Sequence, residues 1–210
     1  ALYRRYAEVT GEAVDLPVVC YHTVNFLQLS GIAARFFMEP SIHGANWIEG
    51  VLEYASISRR AYEAVAELQG IVLDYDLHLP EPVSSVWEES GLEKLLVDIA
   101  RLPTSTAFED WERDLLHAIP EFLLNYSRYR AWFERESLAD LSAVMGRTYD
   151  SLAEADEAAI SAIAESDAAN DEGWVRTLHR RSLRLSMIIA GTDPDPGNPL
   201  FHRLDPILGV

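Results

Sequence analysis

VDLPVVCYHTVNFLQLSGIAARFFM, residues Val14 to Met38, is the longest nearly continuous apolar run in the chain, and its reading decides the fold. Asp15 can cap a helix and Pro17 suits a first turn, while Glu39-Pro40 supplies a stop. The run therefore predicts a buried central helix with the other helices packed around it. His22, Asn25 and Gln28 interrupt it in steps of three, which makes them neighbours on a helix surface. Buried, these groups must be hydrogen-bonded. Two readings follow: a polar network tying core helices together, or the tentative lining of a ligand pocket.

Working outward, a short helix reaches Val9 and stops at Thr10-Gly11, a good C-terminal signal. After a connector at Ser41 to Asn46, a long helix extends from about Ala45 to Gly70. Its apolar stripe is Val51, Tyr54, Ala55, Tyr62, Val65 and Leu68. Its charged residues Glu53, Arg59, Arg60, Glu63 and Glu67 are expected to face outward. From Ile71 to Leu79 the pattern changes to period two, with Asp74, Asp76 and His78 alternating with Tyr75, Leu77 and Leu79, so a brief extended segment is expected. Pro80 and Pro82 mark a module boundary, giving a helical part over 1–80 and a second all-helical module over 81–210 packed against it.

In the second part, Leu92, Leu95, Leu96, Ile99 and Leu102 make one helical stripe. Phe108, Trp111, Leu115, Ile119, Phe122, Tyr126, Tyr129 and Phe133 make a longer one. Pro120 inside the latter predicts a kink or interruption near His117. Ser151 to Glu172 is acidic and lacks a base; it predicts a helix to about Ser166. The last helix, about Trp174 to Ala190, buries Val175, Leu178, Ser182, Leu185 and Ile189. It sets Arg176, Arg180 and Arg184 on the opposite face. The simplest expectation is that the acidic and basic helices form an antiparallel pair; the alternative is that the arginines are an interaction surface for an anionic partner. The Pro- and Gly-rich tail, with Leu200, Phe201, Leu204, Ile207 and Leu208, straps across the bundle. The expected class is all-α: a multi-helix bundle with a C-terminal strap and at most one short extended segment near 71–79.

The chain has 210 residues with a formal charge of -17, which opposes nucleic acid and anionic membrane surfaces. A hydrophobic fraction of 49% supports a full core. The single cysteine, Cys20, permits no internal disulfide and reads as a small buried hydrophobe, consistent with a cytoplasmic location. No uninterrupted run reaches the roughly 18 residues of a membrane span, and no signal peptide is expected. The chain begins at Ala1 already in helical rhythm with no cap ahead of Leu2, so it reads as a fragment whose upstream part is missing; a removed initiator Met is the alternative.

No catalytic or metal motif is complete. Asp114-x-x-His117 occurs once, where a di-iron bundle needs paired Glu-x-x-His motifs. Zinc spacing and Gly-x-Ser-x-Gly are absent. His43-Gly44-Ala45-Asn46 matches a His-Gly-Asp catalytic loop only superficially, because Ala45 stands where the base belongs. Val72 to Asp76 similarly offers a coincidental strand ending in Asp. Catalytic and metal residues are therefore expected to be none.

LYRRYAEVTGEAVDLP followed by VVCYHTVNFLQLSGIAARF, Leu2 to Phe36, resembles a segment late in the C-terminal lobe of aminoglycoside phosphotransferase-like kinases. The match rests on Tyr6 to Gly11, an acidic-Pro connector and the apolar helix behind it, with Ile48 to Leu68 as the next helix of that lobe. The resemblance implies that the ATP lobe, catalytic loop and magnesium Asp belong upstream. ATP and Mg would then be needed only by that missing N-terminal part, with no cofactor in this chain. It also implies a role in shaping an acceptor pocket or scaffolding the kinase lobe, inactive in isolation. Two alternatives come from other classes: a self-contained helical protein-protein interaction module, including a homo-oligomer, and a helical-bundle small-molecule binding protein.

Overall fold

The computed structural model describes residues 2–11, 16–39, 47–167 and 170–204. Among them the regular elements are all helical: α1 (Leu2–Thr10), α2 (Leu16–Met38), α3 (Trp47–Gln69), α4 (Val86–Ala100), α5 (Ala107–Met145), α6 (Leu152–Glu165) and α7 (Asp171–Ala190), followed by a 3-10 turn at Pro199–Phe201. The all-α class is as the periodicity predicts. The connector and loop residues His43 to Asn46 lie outside the described residues, as do Ile207 and Leu208 of the tail and the side chain of Cys20.

Local chemistry explains the boundaries. Thr106 starts α5 with a capping box: its hydroxyl accepts the Glu109 N–H, and the Glu109 carboxylate accepts the Thr106 N–H. Gly146, at φ 63°, ends the helix in the left-handed conformation that a side chain disfavours. Pro120 is buried and α5 continues through it, so the expected interruption does not occur. Its neighbours Ile119 and Phe122 belong to the core, and that packing holds the helix across the missing hydrogen bond.

The core forms where α3, α5 and α7 meet: Ile48 and Val51, Phe122 and Phe133, and Ile188. A second cluster joins α6 to the α5–α7 end through Leu141, Ala155, Ala159 and Trp174. A third places Leu183 and Met187 of α7 beneath Phe201 and Tyr75, Leu77 and Leu79. Residues 71–79 form no strand, yet their period-two pattern is real. The odd-numbered residues Ile71 to Leu79 are half-buried and the even-numbered ones exposed. This segment is a strap over α7, held by the Leu79 N–H donating to Asp193 Oδ1 at 2.7 Å.

Three expectations are corrected. The hub is α3, with α7 and α5; α2 packs on α3 and, among the described residues, has no other substantial helix partner. The described buried residues of α2 are small, Ser30 and Ala33, with the Ser30 and Ser58 hydroxyls hydrogen-bonded across to α3. Small side chains allow close approach on that face and leave Leu27, Leu29, Ile32 and Met38 exposed. Secondly, α7 packs chiefly against α3 and α5, and α6 against α5; among the described residues α6 and α7 are not packed as an antiparallel pair, and Arg181–Asp156 is the ion pair that joins them. Thirdly, Arg59 and Glu63 face inward: Arg59 is 0% exposed and Glu63 6%. Charge alone does not set exposure when a partner on the next turn can neutralise it.

Ile188→Ala should cost about 2–5 kcal/mol, because it opens a cavity where three helices meet. Leu95→Ala, at a position 46% exposed on α4, should stay within about 0.5 kcal/mol. Urea unfolding of the two variants checks the contrast.

Candidate functional site

A cavity of about 540 Å3 lies among α3, α5, α6 and α7, with Met38 at the end of α2 reaching its edge. Phe133 and Leu141 come from α5, Ala159, Ile160 and Ile163 from α6, and Leu178 and Leu185 from α7. Exposed Met38, Ile160 and Ile163 make its mouth apolar. Tyr54 and Tyr62 bring phenols from positions two turns apart on α3. Burial, helped by nearby Tyr54 and opposed by Arg181, pushes the Tyr62 phenol up to about 12, so it remains a neutral hydrogen-bond donor.

The polar wall is an ion pair. Both Arg181 Nη atoms meet the Asp156 carboxylate, with Nη2 at 2.9 Å from Oδ2. Burial alone would lower the guanidinium's affinity for its proton; the Asp156 bonds reverse this, and its pKa is raised. The Arg181 guanidinium also stands 5.8 Å from the Phe133 ring centre. The result is an apolar chamber with two phenols and one neutralised ion pair, suited to holding an amphipathic molecule. Among the described residues no cluster of His, Cys, Asp or Glu could hold a metal.

A second polar centre ties α3 to the tail. Arg59 pairs with Glu63 and donates from Nη2 to the Leu200 carbonyl at 3.1 Å and the His202 carbonyl at 2.8 Å. Glu63 Oε2 accepts the Leu204 N–H at 2.7 Å. His179, fully buried on α7, places Nε2 at 3.7 Å from Glu63 Oε1, and Tyr75 sets its ring edge-on at 4.9 Å. Burial works to raise the Glu63 carboxyl, but His179, Arg59 and the Leu204 N–H outweigh it and hold the group below the usual carboxylate range. Arg203 covers Tyr75 at 3.6 Å, and both line a smaller open cavity of about 270 Å3 beside Glu63.

The residues singled out in the sequence fall elsewhere. The side chain of His22 lies outside the described residues; Asn25 is half-buried, Gln28 is exposed, and neither lines the cavities described above. Arg176 pairs with Glu172 on its own helix at 2.6 Å. Arg180 and Arg184 turn onto Asp140 of α5 rather than outward. Arg181, Asp156, Tyr54 and Tyr62 were missed. The available signal was Arg181's place one residue beyond the chosen arginine row, about 100° further round the helix.

Comparison with known proteins finds no matching family model, no matching curated protein and no matching solved structure.

Arg59→Met should cost about 3–5 kcal/mol by stranding the Glu63 carboxylate, and the Arg59→Met/Glu63→Met double variant should recover part of that loss in urea unfolding. Glu63's lowered folded pKa also means that its contribution is present above the unfolded carboxyl value and is lost as pH falls through the folded one. His78 has the opposite sign. Asp193 raises its pKa above 6.5, through a hydrogen bond first, so its contribution is complete below 6.5 and lost as pH rises through the folded value. NMR titration should show a His78 midpoint above 6.5 that falls in Asp193→Asn.

Proposed function

We propose that this chain binds a small amphipathic molecule in the four-helix cavity. We propose further that it does so as the helical C-terminal region of a phosphotransferase-like protein, with ATP and Mg handled by a separate lobe. The observation that carries the binding reading is the 540 Å3 chamber, apolar at its mouth and faced inside by Tyr62 and the Arg181–Asp156 pair. The phosphotransferase part rests on the resemblance of Leu2 to Phe36, and in that setting the chamber is a place for an acceptor or an effector molecule. Its test is the gene: a reading frame that continues upstream into a nucleotide-binding lobe supports it, and one that starts at Ala1 or one codon earlier removes it.

The binding reading is tested with 8-anilinonaphthalene-1-sulfonate, whose fluorescence rises in an apolar site. Titration should reveal one saturable site that Ile163→Trp weakens at least tenfold by filling the mouth. Trp87→Ser, on an exposed face remote from the cavity, should leave that site unchanged. Equal binding by the parent protein and Ile163→Trp would defeat the proposal.

A second reading is favoured by α4. None of its residues is buried; Val86 is 75% exposed and Trp87 90%. Such an apolar face suits a protein-protein interaction module. Light scattering at rising concentration should then show association that Val86→Ser/Trp87→Ser abolishes; a monomer at every concentration removes the homo-oligomer form of this reading.

A further inference from the structure

The seam between α5 and α7 holds a positive charge that no described side chain balances. The two helices run antiparallel, since Gly173 abuts Val144 at one end and Gly191 abuts Asn125 at the other. Within the seam, the guanidiniums of Arg180 and Arg184 converge on one carboxylate, Asp140. Arg184 Nη2 reaches Asp140 Oδ2 at 2.7 Å, while its Nε and Nη1 have no hydrogen-bond partner. Arg180 Nε and the Ser137 hydroxyl are also buried without a partner. Arg184 is 3% exposed and Ser137 1%.

Helical spacing puts these groups together. Ser137 lies one turn before Asp140 on α5, and Arg184 one turn after Arg180 on the antiparallel α7, so Ser137 and Arg184 are offset from the ion pair in the same direction. Water could satisfy the bare N–H groups, but it cannot cancel the excess cation. An unpaired buried charge is far more costly than a paired one. An anion answers both demands, and guanidinium forks suit oxygen acceptors in particular.

We propose that the α5–α7 seam binds a small oxyanion, phosphate or carboxylate in character, held by Arg184 and Arg180 and by the Ser137 hydroxyl. Arg180, whose side chain is 34% exposed, marks the way in from solvent. The site is separate from the four-helix cavity, whose walls carry Arg181 rather than its two neighbours in the seam.

Thermal unfolding in phosphate, sulfate, acetate or chloride at fixed ionic strength tests this. One of the oxyanions should raise Tm saturably, by about 3–6 °C at ten times its Kd, relative to chloride. Comparing phosphate and sulfate with acetate decides between a tetrahedral and a planar ligand. Arg184→Met leaves a neutral Arg180–Asp140 pair and should fold, but it should lose the anion response. Ser137→Asp should supply the missing carboxylate from within the chain, raising Tm in chloride and removing the response to added anion. A seam that is merely hydrated gives the reverse: no oxyanion shift in the parent protein, and a lower Tm in Ser137→Asp. Either of those results, or a shift that persists in Arg184→Met, overturns the proposal. Ile163→Trp should keep the full anion response, so failure of the cavity reading and failure of this one are distinguishable.

Discussion

The ion pair between Arg59 and Glu63 is the constraint around which the rest is arranged. Two opposite charges one turn apart would be a minor surface feature of an isolated helix. Here both are taken out of water, and each uses its remaining capacity on other parts of the chain: Arg59 on the Leu200 and His202 carbonyls, Glu63 on the Leu204 N–H. Tail backbone groups thereby find partners on a helix about 140 residues away in sequence. The same tail brings Phe201 onto Leu183 and Met187, and the 71–79 strap lies against that cluster. Removing either charge would strand the other and free the tail from α3.

Much of the fold was legible because helix signals are local. The Thr10-Gly11 stop and the acidic stretch from Ser151 to about Ser166 are read from neighbouring residues and give helix boundaries close to those observed. The alternation from Ile71 to Leu79 was legible too, as a one-sided extended strap. What local patterns do not encode is which face meets which neighbour. Arg59 and Glu63 looked like solvent-facing charges because their neutralising contacts include tail backbone, which leaves no trace in a helical stripe. Residues 14–38 looked central because they are apolar on several sides, yet among the described residues α2 packs chiefly on α3, and its described buried residues are Ser30 and Ala33.

The arginines of α7 show the same limit at the level of sites. Four of them fall within nine positions, and spacing alone grouped Arg176, Arg180 and Arg184. Packing sorts them differently: Arg176 stays on its own helix, Arg180 and Arg184 share Asp140, and Arg181 crosses to Asp156. One residue of register separates the cavity wall from the α5–α7 seam. Both features arise from a single basic helix lying between α3 and α5, where acids on α5 and α6 compete for its guanidiniums. The candidate site was unreadable in advance because that competition is settled by tertiary geometry.

The hairpin of α4 and α5 adds a mechanical consequence. α5 is 39 residues long, close to 58 Å at about 1.5 Å per residue, and its first two turns project beyond the core cluster that begins near Leu115. α4 packs on α5, and none of its residues is buried. Amide protons in α4 and the start of α5 are therefore protected by a local helix–helix contact rather than by the shared core. Hydrogen exchange is expected to be faster in this hairpin than in α3, α5 beyond Leu115 and α7.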